Sequence, residues 1–147
     1  MTDLRNEMFS NWNKDLIEKL GIQLPPNSAK ELGSNFIEYI PKKSLTVEFI
    51  VQEKHTNPLG LLQGGILCAY FDDTFGPLSY AILGKPMLTL DMNIQFIRGV
   101  KANEKVKIKA EIQSRGIQVM YLKAEAVNQK NKTIAVATTT VLVMNSF

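Results

Sequence analysis

Apolar residues return every fourth position near the start of the chain. Leu4, Met8, Trp12, Leu16 and Leu20 share one slowly drifting face, with Arg5, Glu7, Asn11, Lys14 and Lys19 elsewhere. That period predicts an amphipathic helix over residues 3–20, with Thr2 or Asp3 suited to cap its start and Gly21 to end it. Pro25-Pro26-Asn27-Ser28 reads as a loop. The period then changes from four to two. A short strand is expected over 36–40, a turn at Pro41-Lys42-Lys43, and a second strand over 45–53, where Leu45, Val47, Phe49 and Val51 alternate with Thr46, Glu48 and Gln52. Beyond residue 87 the signal is strand throughout. Leu88, Leu90, Met92, Ile94 and Phe96 alternate with polar residues over 88–97, and Val106, Ile108, Ala110 and Ile112 oppose three lysines and Glu111 over 105–113. Strands at 117–127 and 134–144 follow, the last apolar on both faces. Short, turn-rich separators at 99–103, 114–116 and 128–132 predict that these four strands form an antiparallel meander.

Between the two strand regions lies the stretch 55–76, HTNPLGLLQGGILCAYFDDTFG. A helix is expected to begin near 63–65 and reach about Leu83, apolar on all sides and therefore buried. Pro77 should kink or break it after Gly76, and Gly84-Lys85-Pro86 should end it. One long helix with two strands before it and four after it predicts an α+β domain, the helix lying on one face of an antiparallel sheet. Asp72 and Asp73 interrupt the apolar run, and carboxylates are rarely buried without a partner or a task. Gly65, Ala69, Asp72 and Gly76 fall on one stripe at intervals of four, three and four. Small residues thus flank Asp72 and leave a groove beside it. Asp73 is turned by about 100° and cannot serve the same spot. Glycines at a helix start leave backbone N–H groups open to an oxyanion; they also permit close packing of helix on sheet.

The string H-T-N-P-L-G-L-L-Q-G-G, followed by Asp72 and Gly76, resembles the hotdog-fold acyl-CoA thioesterases of the phenylacetate-pathway type. Their pattern is close to H-x-N-x-x-G-x-x-H-G-G, with an acid nine residues after the second His. Asn57, Gly60, Gly64, Gly65 and Asp72 fall on it, whereas Gln63 stands where the family usually has His. Thr89-Leu90-Asp91-Met92-Asn93-Ile94-Gln95-Phe96 resembles the family's next strand, and the likeness spans roughly residues 36–144.

This resemblance implies a sheet of about five or six strands wrapped around the central helix, with an N-terminal helix and linker in residues 1–34 and the core in 36–144. It implies hydrolysis of an acyl-CoA thioester, with coenzyme A entering only as part of the substrate. The Gly64 N–H, with Gly65 beside it, would bind the thioester oxygen. Asp72 would act as general base on water or as nucleophile. Asn57 would orient the water or the carbonyl, and Thr89 would hold the same water. Arg115-Gly116 resembles the family's Gly/Arg turn, and Arg98 and Lys123 are further candidates for the coenzyme A portion. Taken as residues alone, Asn57 before Pro58 is equally a turn residue, and Thr89 equally an ordinary strand former. Gln63 cannot titrate near neutrality as His does. If the family His only shapes the loop, Gln can stand in for it; if it tunes the acid, this chain is slower, or is a non-catalytic acyl-CoA or lipid binder. Gly64 and Asp72 lie about 12 Å apart along one helix, too far to act together on one carbonyl. Two helices packed antiparallel about a two-fold axis would bring them together. The resemblance implies the same homodimer, sheets joined edge to edge, or a dimer of dimers.

Composition adjusts this picture only slightly. With 147 residues the chain suits one domain, 1–147, and 45% hydrophobic with 21% charged residues is ordinary for a globular protein. A net charge of +3 is too small to argue for nucleic acid. Residues 1–97 hold 8 basic and 11 acidic groups, and residues 98–147 hold 9 and 3. The positive C-terminal third suits a phosphorylated ligand, or simply lysines on the solvent face of strands. Cys68 is the only cysteine, which rules out an internal disulfide and fits a reducing, cytoplasmic compartment. No base lies near it for thiol catalysis, since the only histidine, His55, precedes the helix. One His and one Cys cannot make a zinc site, and a hydratase of this fold would need a His inside the helix. No run approaches the ~18 apolar residues of a membrane span, and the opening MTDLRNEMFSNW carries early acids and lacks the apolar stretch of a secretory leader.

Overall fold

The 20-residue helix at the centre of the fold, Gly64–Leu83, starts where the glycine pair stands and stops at Gly84, whose φ of 59° closes it in the left-handed conformation. The structure is a computed structural model that describes residues 4–10 and 14–144. In chain order the elements are α1 (Leu4–Phe9), α2 (Lys14–Lys19), α3 (Asn27–Leu32), β1 (Asn35–Ile40), β2 (Ser44–Ile50), α4 (Gly64–Leu83), β3 (Met87–Phe96), β4 (Lys105–Arg115), β5 (Val119–Asn128) and β6 (Thr133–Val143). The six strands make one antiparallel sheet in the order β1-β2-β4-β5-β6-β3.

Alternation sets which face of the sheet meets the helix. Leu45, Val47 and Phe49 of β2, Val106, Ile108 and Ala110 of β4, and Met120, Leu122 and Ala126 of β5 are buried against α4. From the helix, Leu67, Tyr70, Phe71, Phe75 and Leu78 close the core. Phe49 and Tyr70 stack with ring centroids 4.2 Å apart. Each such side chain contributes on the order of 1.5–3 kcal/mol by leaving water, so the helix is held by its packing rather than by its helix propensity.

Four expectations need correction. The N-terminal helix is two six-residue helices, α1 and α2, on either side of residues 11–13, which with Trp12, Thr2 and Asp3 lie outside the described residues. The second strand stops at Ile50, three residues early. There the Val51 N–H turns to the Glu104 carbonyl (3.0 Å) and its own carbonyl accepts from Asn103 N–H (2.8 Å). Pro77 does not break α4. A proline crowds the Cβ and N–H of the residue before it; here that residue is Gly76, which has no Cβ, while Phe75 and Leu78 anchor both sides of the proline in the core.

The fourth correction concerns strand order. β4, β5 and β6 form the expected meander, but β3 pairs with β6 at the far edge rather than with β4. Segment 97–104 makes this possible by crossing the end of the sheet. Ile97 and Arg98 N–H donate to the Ile134 carbonyl, and the Val100 carbonyl accepts from Leu62 N–H at 2.7 Å. β3 is therefore an edge strand on which Leu88, Leu90 and Phe96 stay 52%, 54% and 57% exposed. Among the described residues, no helix is long and apolar enough to cross a membrane.

Candidate active site

The loop that delivers the chain into α4 is closed on itself by hydrogen bonds. Asn57 N–H donates to the Leu61 carbonyl at 2.7 Å, and Gly60 N–H to the Asn57 carbonyl at 2.9 Å. The Asn57 side-chain oxygen accepts from both Leu59 N–H (2.9 Å) and Leu61 N–H (3.2 Å). Asn57 is thus built into the loop through its Oδ1. Gly60 takes the positive φ of 71° that this tight turn requires. The His55 carbonyl then accepts from Gln63 N–H at 2.9 Å, and the buried His55 ring sits with Nδ1 3.4 Å from the Tyr70 hydroxyl. Burial pushes that phenol up to about 12, so the hydroxyl keeps its proton and stays available for hydrogen bonding.

This bracing determines which backbone donors remain open at the helix start. A helix leaves its first four N–H groups without internal partners. Here Gln63 N–H is taken by His55, and Ile66 N–H by the Gln63 carbonyl at 2.9 Å. The Gln63 side chain is exposed and makes no capping bond. Among the described residues, the N–H groups of Gly64 and Gly65 have no partner in the chain. A Cβ built on Gly65 would meet nothing within 4 Å, whereas one on Gly64 would come within 3.3 Å of the Phe96 ring. Gly64 is therefore glycine because Phe96 packs on it, and packing does not explain Gly65. A pocket of about 320 Å³ opens here, lined by Asn57, Gly64, Leu67, Phe96 and Arg98. Arg98 reaches it while its Nη1 donates to the Thr133 carbonyl at 2.5 Å.

Two turns along α4, the two acids part company. Asp72 is exposed, and its Oδ1 accepts a hydrogen bond from Thr89 Oγ1 at 3.0 Å, across from the first residues of β3. Asp73 faces Ser34 and Arg5, and its Oδ2 is buried without a hydrogen-bond partner; contrary to the expectation that it points elsewhere, it lines the same cleft as Asp72. Burial raises the Asp73 carboxyl from 3.8 to about 6; Ser34 and Arg5 pull it down, and Asp72 adds a small push upward. Asp72 opens onto a cleft of about 610 Å³, separate from the pocket at Gly64.

The structure brings Thr89 to Asp72, and Asn57, Arg98 and Gly64 to one another, but within one chain it does not bring those two groups together. Arg115 and Gly116 form the β4–β5 turn, where Gly116 N–H donates to the Val119 carbonyl at 2.8 Å. That turn lies at the Thr89 end of the sheet, two strands away from β3, and lines neither pocket. Lys123 lies on the outer face of the sheet beside Glu111, its Nζ 3.6 Å from Oε2. Cys68 is half-buried and burial pushes its thiol up, which disfavours the thiolate. The pattern of residues missed two features: the ring of Phe96 over Gly64, and the tie from Arg5 and Ser34 to Asp73. Neither has a local sequence signature, because each joins elements more than 25 residues apart.

A long central helix wrapped by one six-stranded antiparallel sheet defines a hotdog-fold protein. The model of the Thioesterase superfamily matches residues 59–135, more than half the chain. The chain belongs to that superfamily. Over 90 residues it is 32% identical to acyl-coenzyme A thioesterase 13 of Mus musculus, a match covering 60% of this chain and 64% of the mouse protein; about a third of that relative lies outside the match. A phenylacetic acid degradation-related protein from Ralstonia eutropha JMP134 is 30% identical, with a TM-score of 0.77 over 89% of this chain and 100% of that one. The PaaI protein of E. coli, at 18% identity, shares the fold with a TM-score of 0.81 over 99% and 98% of the two chains.

Proposed function

We propose that this chain hydrolyses an acyl-CoA thioester to the free acid and coenzyme A, at sites each shared between two copies of the chain. The observation that carries this is the separation of two complementary half-sites on one helix: open N–H donors at Gly64 and Gly65, and the Asp72–Thr89 pair about 12 Å further along. As water attacks the thioester carbon, negative charge grows on its oxygen, and the Gly64 and Gly65 N–H groups with the helix dipole stabilise it. Asp72 removes the proton from that water, or attacks the carbon itself to give an anhydride that water then cleaves. The C–S bond breaks and the coenzyme A thiolate leaves. Thr89 donates to Oδ1 and so fixes the carboxylate. Arg98, Arg115, Gly116 and Lys123 are the candidates for the coenzyme A portion, whose phosphates are separated from the thioester by the pantetheine arm and so would lie away from both half-sites.

The exposed edge of β3 supports the shared site. Two copies pairing β3 antiparallel about a two-fold axis near Met92–Asn93 would cover Leu90 and Phe96. They would also set the Thr89 end of one strand opposite the Phe96 end of the other, and with it Asp72 against the second copy's Gly64. The test mixes two inactive variants, Asp72→Asn and Gly65→Val, by co-refolding. A shared site restores about a quarter of wild-type sites in a random mixture; a site held in one chain restores none. The alternative, a non-catalytic acyl-CoA or lipid binder, draws on Gln63 and predicts no thiol release from any of a panel of acyl-CoAs.

A further inference from the structure

The cleft of about 610 Å³ onto which Asp72 opens has two walls of different origin. One is the α4 stripe of Ala69, Asp72 and Gly76, with Asp73, and the start of β3; the other is the N-terminal segment, mostly apolar through Phe9, Ile22, Leu24, Leu32 and Phe36, with Arg5 as its charged member. That second wall lies entirely outside the segment 59–135 that defines the superfamily. It is fastened in place from both sides. Arg5 Nη2 donates to the Ser34 carbonyl (2.6 Å) and to Ser34 Oγ (3.1 Å), and its guanidinium lies over the Phe36 ring, 4.7 Å from the centroid. Gln52 Nε2 holds the Glu31 carbonyl at 2.9 Å.

Gly76, glycine because Pro77 follows it, also leaves the cleft open at this point: apart from its chain neighbours, a Cβ there would meet nothing closer than Met87 Cε at 3.9 Å. The space it leaves belongs to the cleft, one turn beyond Asp72. Leu24, facing it from the opposite wall, stays 38% exposed.

We propose that the N-terminal segment is the specificity wall of this protein: an apolar acyl group lies between it and the Ala69–Gly76 stripe, with its carbonyl carbon at Asp72. The proposal rests on the thioesterase reading of Asp72, since that residue fixes which end of the occupant is the reacting one. Cleft size and lining suit an apolar chain or ring of several carbons, and acyl selectivity is thereby separated from the donors at Gly64, which meet only the thioester oxygen.

Narrowing the cleft from either wall, by Leu24→Trp or Gly76→Leu, tests it. The measured quantities are kcat/KM for acetyl-, hexanoyl- and decanoyl-CoA, and decanoate affinity by titration calorimetry. The expected result is a fall of tenfold or more in the decanoyl-to-acetyl ratio of kcat/KM, with decanoate binding weakened to match. Leu24 is partly exposed, so its variant keeps the test available if Gly76→Leu does not fold. A ratio within twofold of wild type in folded Leu24→Trp overturns the proposal. Should the wild-type protein release no thiol from any acyl-CoA, the hydrolase reading fails separately, and decanoate alone decides: binding that Leu24→Trp weakens tenfold upholds the cleft, and absent or unchanged binding overturns it.

Discussion

The start and the middle of the same helix present polar groups in opposite ways. At its start, the open groups are backbone. Loop bonds at Asn57, His55 and Gln63 consume neighbouring N–H and C=O groups and leave two N–H donors over; no side chain has to be acidic or basic. In its middle, the polar groups are side-chain carboxylates, and environment divides two adjacent ones. Asp72 is exposed and hydrogen-bonded to Thr89, while Asp73 is half-buried against the N-terminal segment, which raises its carboxyl to about 6. Substitutions at the start should therefore act through shape, and substitutions in the middle through charge.

The largest effect is expected in the middle. Asp72→Asn is nearly isosteric and keeps an acceptor for Thr89, yet it cannot take a proton from water. We expect a loss of about a hundredfold to ten-thousandfold in kcat with the circular dichroism spectrum and thermal midpoint nearly unchanged. Full activity in Asp72→Asn together with its loss in Asp73→Asn would move the chemistry to the buried acid. At the start of the helix, Gly65→Val adds a side chain where nothing lies within 4 Å, so it should fold and yet screen the open donors. A fall in kcat of about a hundredfold is expected, the typical consequence of losing one oxyanion donor. Unaltered turnover of acetyl-CoA by a folded Gly65→Val protein would remove those N–H groups from the reaction.

Much of this contrast was legible along the chain, and what was not has a physical cause. Strand positions followed from the period-two alternation, because burial on one face leaves a local trace. The start of α4 followed from the glycine pair, and the different surroundings of Asp72 and Asp73 from the 100° turn per residue, although both line one cleft. Strand order left no such trace: β3 and β4 are adjacent in sequence with a short connection, and only the hydrogen bonds of Ile97, Arg98 and Val100 carry that connection across the sheet end. Pro77 broke a local rule that the missing Cβ of Gly76 suspends. The role of the first 36 residues was invisible for another reason. Amphipathic period announces that a face is buried, and says nothing of the cleft left beside it.

Asp73 gives a smaller and purely energetic test of the environment in the middle of the helix. Its folded value of about 6 exceeds the ordinary 3.8. Between those two values the native state holds a proton that the unfolded chain has already released. Stability from this group is therefore complete below pH 3.8, falls as pH rises through about 6, and stays low above it. Asp73→Asn removes the charge that burial opposes. The variant should gain on the order of 1–2 kcal/mol over wild type at pH 7.5, with the gain vanishing near pH 4, measured by urea unfolding at the two pH values. Equal differences at both would mean that Arg5 and Ser34 neutralise the carboxylate outright.

The smallest effect should come from Gln63→His, although it replaces the residue that departs most from the family pattern. Position 63 is fixed through its backbone: its N–H goes to His55, and its carbonyl accepts from Ile66 and Leu67 at 2.9 and 3.0 Å. The side chain itself is exposed and caps nothing. A histidine there should leave the loop and both glycine donors in place, changing kcat by no more than about threefold, the scale of a surface substitution. What it adds is a group titrating near pH 6.5, next to where the thioester oxygen would sit. A new limb near that pH in the rate profile, absent from wild type, would show that an imidazole at this position couples to the reaction and that Gln63 runs it without that coupling. An unchanged profile at unchanged rate would mean that position 63 serves only to shape the turn, and that the contrast between the start and the middle of α4 lies wholly in backbone at one and charge at the other. Loss of activity in a folded Gln63→His protein would contradict both outcomes and give the amide of Gln63 a contact with the substrate.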